Sequence, residues 1–216
     1  MQQETKLDVI AITDHGEIAG ACEARELTAK DSYRFEVVVG MEVSTQEGHL
    51  LALFLESPVP KFLPLAETID AIHAQGGICI VPHPMCWLLR SISQNSMDEI
   101  VMREGEDVYL DGIEVISPTI ASRMTNGRPK ELNREYYRLA ETGSSDAHFL
   151  LQIGSGYTIF EGRTAADLRH SLLNKTTRAA GIKVNLQKIG YGKITRHLFK
   201  HTVIMPLLRL YQGFIA

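Results

Sequence analysis

Acidic and imidazole side chains follow several short apolar runs of this sequence. The run "VIAIT" is followed by Asp14 and His15, and "VVVG" is followed one residue later by Glu42. The run "ICIVP" leads directly to His83. Carboxylates and imidazoles bind metal ions and move protons, so these run ends predict a site with one or both abilities.

Three further candidates complete the set. Asp146 and His148 stand two residues apart in "SSDAH". This spacing puts both side chains on one face of an extended chain. His49 is an exception, because it opens its apolar run, "HLLALFL", instead of closing one. The candidate metal ligands are His15, Glu42, His49, His83, Asp146 and His148.

This donor set combines four imidazoles with two carboxylates. Nitrogen and oxygen donors together suit zinc, manganese or iron, and they suit neither a thiolate site nor an all-oxygen calcium site. Six ligands exceed the usual need of one catalytic ion, which favours two metals. Two close metals favour in-line displacement at phosphorus.

Each candidate also has a plain structural interpretation. A single histidine after a strand is more often a hydrogen-bonded structural residue than a ligand, and Asp14 could cap a helix that begins near residue 17. Four other histidines lie on helical patterns and are assigned to the surface or to packing: His73, His170, His197 and His201. The joint pattern favours the metal site, because five of the six candidates follow the end of an apolar run or of a predicted helix.

Strand-like and helix-like segments alternate along the chain, which predicts an α/β fold with a mostly parallel sheet covered by helices. In such folds, active-site residues gather at the carboxyl ends of the strands. Thr164 is predicted to cap the last helix, and Glu114 lies inside a predicted strand. The predicted strands are 8–13, 36–40, 49–55, 78–81, 112–117 and 156–160, and the predicted helices are 17–30, 64–77, 131–143 and 164–175.

Composition limits the class of protein. With 216 residues, of which 44% are hydrophobic, the chain is long enough for one well-buried domain. A net charge of −4 argues against a general nucleic-acid or membrane-surface binder. The three cysteines have no CxxC spacing, and neither a signal peptide nor a membrane-spanning stretch is visible. These features together predict a cytoplasmic protein.

The motifs resemble those of the PHP family, the polymerase and histidinol phosphatase superfamily. They occur in the family's order over residues 7–180. The stretch "IGSGYTIFEGRTAADLRHSLLNKTTRA" also looks like the segment that follows the last motif in many stand-alone members. The matching motifs are "DVIAITDH" at 8–15, "VVVGMEVST" with Glu42, "GHLLALF" with His49, "GICIVPHP" with His83, and "GSSDAH" with Asp146 and His148.

The resemblance implies a distorted seven-stranded α/β barrel with two or three divalent ions, which are manganese, zinc or iron. It implies that the six candidates bind these metals, that Asp14 orients its neighbour, and that His15, His83 and His148 also take part in catalysis. A phosphate group also requires a cation, although a solvated surface position is the alternative for each choice. The cations that follow predicted strands are Arg90, Arg123, Arg128 and Lys130.

One part of the family pattern is absent. The family opens with a strand that carries His-x-His and a following Asp, whereas only seven residues precede Asp8 here and none is histidine. We expect that the chain as given starts late, at an internal methionine, and lacks the first barrel strand; a degenerate member is the alternative. The predicted organisation is a barrel domain over 1–181, which includes the PHP-associated segment, and a helical tail over 182–216.

The implied function is that of a metal-dependent phosphoesterase. It would hydrolyse a small phosphate ester, such as a nucleotide or a sugar or metabolite phosphate, with metal-activated water. The alternatives are a non-catalytic PHP module used for binding, and a phosphodiesterase or exonuclease that acts on short nucleic-acid ends. The expected partner is a small phosphorylated substrate, and the acidic balance argues mildly against long nucleic acids.

The last residues, 194–216, mix basic and apolar side chains. Their plainer interpretation is a helix packed on the barrel and broken at Pro206. The alternative is weak contact with a membrane surface or a protein partner.

Overall fold

The computed structural model describes residues 5–103, 108–118, 125 and 127–182. A π-helical turn over Asn133–Tyr137 continues helix α4, and a 3-10 turn over Leu150–Gln152 precedes β7. The strands are β1 (Val9–Ile12), β2 (Glu36–Ser44), β3 (His49–Leu53), β4 (Ile78–Val81), β5 (Gly112–Ile116), β6 (Ala140–Gly143), β7 (Gly156–Ile159) and β8 (Arg178–Gly181). The α-helices are α1 (Ala19–Lys30), α2 (Leu65–His73), α3 (Gln94–Val101), α4 (Gly127–Leu132) and α5 (Ala165–Leu173).

Six strands form one sheet in the order β1-β2-β3-β4-β5-β6, which curls into a half-barrel. Three neighbouring pairs, β1 with β2, β4 with β5, and β5 with β6, are parallel. Strand β3 runs antiparallel to both β2 and β4, and β7 pairs with β8 as a separate antiparallel ribbon. The predicted α/β class is confirmed, the mostly parallel sheet is corrected to a mixed one, and the seven-stranded barrel stays a prediction.

The antiparallel direction of β3 explains why one candidate ligand opens its strand. The chain enters β3 at His49, whose register partner is Ser44 at the end of β2. Since β1 and β2 are parallel and β3 is reversed, the start of β3 lies at the same edge of the sheet as the ends of β1 and β2. The exception to the strand-end pattern is therefore the sequence signal of a reversed strand.

Strands β2, β4 and β5 are buried on both faces, which is why they read as continuous apolar runs. Successive residues of β2 alternate between two apolar clusters. Met41 packs in a cluster with Ile69 of α2 and with residues of α1 and α3. Val38 packs in a second cluster with Leu168 and Leu172 of α5. Helix α5 therefore covers one face of the sheet, and helices α1 to α3 cover the other.

The predicted helix over 131–143 is wrong in its second half. Helix α4 and its π-helical turn begin earlier in the chain, and Arg138 ends them with a positive φ of 52°. The buried Asn133 side chain fixes this turn, because its Nδ2 donates to the Leu139 carbonyl at 3.1 Å and its Oδ1 accepts from the Leu139 N–H at 2.9 Å. The chain then pairs with β5 as strand β6, so tertiary contacts override the helical pattern.

The predicted cap of the last helix is confirmed. Thr164 Oγ1 accepts from the Asp167 N–H at 3.1 Å, and the Asp167 carboxylate accepts from the Thr164 N–H at 2.9 Å. Helix α3 and strand β8 have no counterpart in the sequence prediction. Helix α3 buries only Met97 and Ile100 on its apolar side, which leaves a weak periodic pattern.

Parts of the sequence prediction lie outside the described residues. Of the tail over 182–216, only Ile182 lies within them, and Arg123 and Pro206 lie outside. The domain boundary after residue 181 therefore stays a prediction. Within the described ranges, every helix is too short or too polar to cross a membrane.

Replacing Asn133→Ala should lower the free energy of unfolding by about 2–4 kcal/mol, because two backbone groups of Leu139 lose their partner in a buried turn. Urea unfolding followed by circular dichroism measures the change. The control is Asn174→Ala, which removes an exposed side chain that donates to the His170 carbonyl and should cost less than about 1 kcal/mol. Equal effects of the two substitutions would contradict the role given to Asn133.

Candidate metal centre

The carboxylate of Glu42 lies among three imidazoles. Its Oε1 is 2.7 Å from His49 Nδ1 and 3.4 Å from His83 Nε2, and its Oε2 is 3.5 Å from His15 Nε2. The His49 ring centre is 5.0 Å from that of His15 and 5.8 Å from that of His83. Ligand atoms of His15, Glu42 and His49 all lie within 4.8 Å of one another, which is close enough to share one ion.

Backbone pairing beyond β1 places His15 beside Glu42. The two residues form a parallel bridge, in which the Glu42 N–H donates to the Asp14 carbonyl at 3.1 Å and the Gly16 N–H donates to the Glu42 carbonyl at 3.0 Å. Gly16 has a φ of 66°, which a glycine adopts without the steric cost of a Cβ. The position of His15 is thus a direct result of the register between β1 and β2.

A tight hairpin between β2 and β3 brings His49 to the same place. The Thr45 hydroxyl, which is fully buried, donates to the Gly48 carbonyl at 2.8 Å and accepts from the Gly48 N–H at 3.1 Å. The His49 N–H donates to the Arg90 carbonyl at 2.8 Å. These contacts fix the start of β3 relative to Glu42.

His83 is held through both its backbone and its ring. Its N–H donates to Glu114 Oε1 at 3.2 Å. Ser91 Oγ donates to the His83 carbonyl at 2.8 Å and also lies 2.8 Å from His83 Nδ1. Because the single hydroxyl proton goes to the carbonyl, Oγ accepts from Nδ1–H, and Nε2 faces Glu42, to which it donates when it is protonated. Loss of the Nε2 proton leaves the lone pair of this nitrogen pointing into the site. This is the tautomer that a metal ligand requires.

Asp146 and His148 line the same cleft as His15, Glu42 and His83, and this cleft has a volume of about 490 Å³. They follow β6, and Asp146 has a positive φ of 43°. His148 Nδ1 is 3.0 Å from the Asp146 carbonyl oxygen. Four of the predicted ligands are therefore in direct contact, and the other two line the cleft with them.

The charges of this group are strongly coupled. Burial raises the pKa of Glu42, but hydrogen bonds with His49 and His83 outweigh burial and hold that pKa well below its ordinary value. Burial lowers the pKa of His83, but contacts with Glu42 and Glu114 raise it by more, so the net pKa lies above its ordinary value. Partial burial lowers the pKa of His15 more than Glu42 raises it. Glu42 thus stays ionised, and a cation at His83 competes with a proton.

Glu114 and Ser91 are site residues to which the sequence pattern gave no role. Burial raises the pKa of Glu114 from 4.5 to about 7, against the lowering effect of a hydrogen bond from the Ser144 hydroxyl. The acid inside the apolar run "GIEVI" could have indicated that Glu114 is a site residue, because a buried carboxylate needs partners. A serine in a loop is common, so the sequence has no comparable signal for Ser91.

Asp14 is exposed, and its Oδ2 lies beside Gly20 in the first turn of α1, 3.0 Å from the position that a Cβ would take there. The N-cap residue of α1 is Ile18, whose own side chain makes no capping hydrogen bond. The alternative in which Asp14 caps this helix is therefore wrong. Its role in orienting His15 stays a prediction.

Two of the four candidate phosphate-binding cations have other partners. Arg90 donates to the Thr45 carbonyl at 2.7 Å. Arg128 donates to the side chain of a glutamine in α3 at 2.6 Å, and Lys130 is exposed on α4. Arg123 lies outside the described residues. Binding of phosphate by any of these side chains stays a prediction.

Comparisons with known proteins find a family match and similar sequences. Residues 125–177 match the family model described as PHP-associated. The chain is 37% identical over 111 residues to protein MJ1587 of Methanocaldococcus jannaschii and 29% identical over 143 residues to protein MJ0417 of the same organism. The first match covers 51% of this chain and 58% of that protein, and the second covers 66% and 57%. The chain thus spans less than two thirds of either relative.

Two crystal structures share the fold. One, from Bacteroides vulgatus, is of a two-domain protein that contains a predicted PHP-like metal-dependent phosphoesterase; it has a TM-score of 0.63 and 18% identity, over 82% of this chain and 57% of that chain. The other, from Bifidobacterium adolescentis, is of a protein proposed to be a metal-dependent phosphoesterase; it has a TM-score of 0.53 and 16% identity, over 86% and 90%. At these identities the likeness is one of fold.

An α/β half-barrel is the fold that these structures share with this chain. Together with the PHP-associated match over residues 125–177, it supports the resemblance predicted from the motifs.

A divalent metal ion is the group that this family implies, and the residues present fit one. Glu42 supplies a buried carboxylate that stays ionised, and three imidazole nitrogens lie within 3.5 Å of its oxygens. Imidazole and carboxylate donors suit zinc, manganese and iron. The cleft adds Asp146 and His148 to this donor set.

Replacing Ser91→Ala should weaken metal binding by roughly 10–100-fold, because His83 loses the partner that fixes its tautomer. Isothermal titration of the metal-depleted protein with Mn²⁺ measures the affinity. Ser93→Ala is the matched control, since the Ser93 hydroxyl caps α3 by accepting from the Ser96 N–H. An unchanged affinity in the Ser91 variant would remove the positioning role.

In the metal-free protein, Glu114 should make the free energy of unfolding decrease as pH rises from 4.5 to about 7. The sign follows because the folded state holds this proton over a range in which the unfolded state has released it. Glu114→Gln removes this titration, so its stability relative to wild type should improve between about pH 5 and about pH 8. Urea unfolding at both pH values measures the difference, with the exposed Glu161→Gln as the control. If the difference in stability between Glu114→Gln and wild type did not change with pH, the raised pKa of the buried Glu114 would be contradicted.

Proposed function

We propose that this protein is a metal-dependent phosphoesterase that hydrolyses a small phosphate ester, such as a nucleotide or a sugar phosphate. The observation that carries the proposal is the ionised, mostly buried Glu42 carboxylate, which lies within 3.5 Å of three imidazoles. The PHP-associated match over residues 125–177 and the fold shared with the two phosphoesterase-like structures support it. Since the chain spans less than two thirds of its curated relatives, the proposal concerns the activity to which this part of the fold contributes.

Two or three divalent ions would be held by the six side chains predicted from the motifs. When bound, such ions lower the pKa of water and neutralise charge on phosphoryl oxygens, which favours in-line attack at phosphorus. The residues that would hold them are His15, Glu42, His49, His83, Asp146 and His148.

The three histidines predicted to be catalytic differ in what they can do. His83 is buried, and Ser91 and Glu42 fix its ring, so binding and orientation suit it better than proton transfer. The side chains of His15 and His148 are 48% and 40% exposed. Because an acid must reach both solvent and the leaving group, these two are the better candidates for moving a proton.

The cleft favours a small substrate. Its volume of about 490 Å³ is within the range of roughly 300–1,000 Å³ that is common for small-molecule sites. Its walls include Tyr157 and Phe160, which can contact the organic part of an ester. A small ester therefore fits the cleft better than a long polymer does.

Glu42→Gln and His83→Ala should each reduce metal-dependent hydrolysis by more than about 100-fold, because each removes a donor from the metal centre. Release of nitrophenol from p-nitrophenyl phosphate in the presence of Mn²⁺ or Zn²⁺ measures the activity, and circular dichroism checks that the fold is kept. His170→Ala is the control, because His170 is exposed on α5 and bonds only locally with Asn174.

Activity that stays within about twofold of wild type in both variants would remove the proposal. A parallel assay with thymidine p-nitrophenyl phosphate separates the alternatives, because a phosphodiesterase prefers the diester. A protein that binds the metals and hydrolyses neither ester would support the non-catalytic binding module.

A further inference from the structure

A second group of metal-ligating side chains lies at the other end of the sheet. His73 ends α2, Cys79 lies near the start of β4, and Asp111 directly precedes β5. One ligand atom from each of the three lies within 4.8 Å of the others. His83 follows the carboxyl end of β4, whereas this group lies at its amino end, so the two sites are separate.

The contacts within this group leave one histidine nitrogen without a partner. Asp111 Oδ2 accepts from the Cys79 N–H at 2.7 Å and lies 2.9 Å from His73 Nε2. Since the carboxylate oxygen is the acceptor, Nε2 carries the proton, and His73 Nδ1 keeps a lone pair. In the described part of the chain, this Nδ1 atom is buried and has no hydrogen-bond partner. A buried, unsatisfied ring nitrogen is uncommon and requires an explanation such as an ion.

The local charge favours a cation. Cys79 and Asp111 are both buried, with exposures of 0% and 6%. The Asp111 carboxylate creates a negative potential in this region of low dielectric. A divalent cation would neutralise that charge, and a thiol that coordinates the cation releases its proton.

A contact between an imidazole and a carboxylate is also seen in the Glu42 group. There, His49 Nδ1 lies 2.7 Å from Glu42 Oε1, and here His73 Nε2 lies 2.9 Å from Asp111 Oδ2. The difference is chemical, because the second group includes a sulfur donor. Zinc accepts cysteine, histidine and aspartate together, whereas calcium and magnesium prefer oxygen alone.

We propose that His73, Cys79 and Asp111 form a second metal site that binds a divalent ion of the zinc type. On binding, the Cys79 thiol releases its proton to solvent and the thiolate coordinates the ion. The His73 side chain is 16% exposed, so a water molecule can complete a four-coordinate shell from that side. The ion would tie the end of α2 to β4 and β5, which is a structural role and separate from phosphate chemistry.

Cobalt(II) provides a test that is independent of hydrolysis. The six candidate ligands of the first site include no cysteine, so a thiolate-to-cobalt charge-transfer absorption reports only a sulfur-containing site. We expect the metal-depleted full chain to develop this absorption on titration with Co²⁺ and to lose it on addition of Zn²⁺. Glu42→Gln should keep the absorption even where it loses hydrolysis, which separates the two proposals.

The variants decide which residues are responsible. Cys79→Ser should abolish the absorption, and Cys22→Ser on α1 is the matched control that should keep it. His73 is partly exposed, so His73→Gln should disturb the fold less than Cys79→Ser does. This variant tests the site if Cys79→Ser does not fold. It should weaken Co²⁺ binding by about tenfold or more. A wild-type protein without the absorption, an absorption that survives in Cys79→Ser, or an unchanged Co²⁺ affinity in His73→Gln would overturn the proposal.

Discussion

The candidate metal centre depends on one buried charge, the carboxylate of Glu42. A carboxylate that is removed from water is stable only when it is paired, and here three imidazoles surround it. Those imidazoles come from three different places in the fold, which are the end of β1, the start of β3 and the loop after β4. The register of the half-barrel and the chemistry of its cleft are therefore linked, because a slip of one residue in β2 would turn the carboxylate to the opposite face of the sheet.

The sequence predicted the elements that are buried on both faces, because continuous apolar runs have few other uses in a short chain. Four of the six predicted ligands lie in contact for a related reason, since charged groups directly after such runs need a special environment; that they bind metal stays a prediction. The sequence did not predict the direction of β3 from its apolar pattern, although His49 carried the signal. The turn at Asn133 also escaped prediction, because it depends on a hydrogen bond to Leu139 that helical periodicity does not encode. Ser91 depends on a contact with a ring eight residues away, and loop residues carry no pattern for such contacts.

The same strands carry polar groups at both of their ends. Strand β4 begins beside Asp111, which accepts from the Cys79 N–H, and ends before His83, whose N–H donates to Glu114 of β5. In each case a carboxylate on or next to β5 contacts the backbone of the β4 segment. The buried acids thus join two parallel strands through bonds to N–H groups of the β4 segment, in addition to the regular ladder. The free-energy cost of burying these carboxylates is offset by the hydrogen bonds that they accept. The same bonds fix the spacing between β4 and β5.

The hairpin closed by Thr45 has a further consequence for the chain entropy of the site. Glu42 and His49 lie within this one hairpin, His83 and Ser91 lie within one loop, and Asp146 and His148 lie within one short segment. Each of these contacts closes a short loop, and short loops lose little entropy on closure. The entropy that assembly must still overcome is concentrated in joining these three prearranged pieces to one another and to His15, which follows β1. Each pair of neighbouring residues can therefore keep its spacing while the rest of the barrel fluctuates. Parts of the site are held in place before the whole site is assembled.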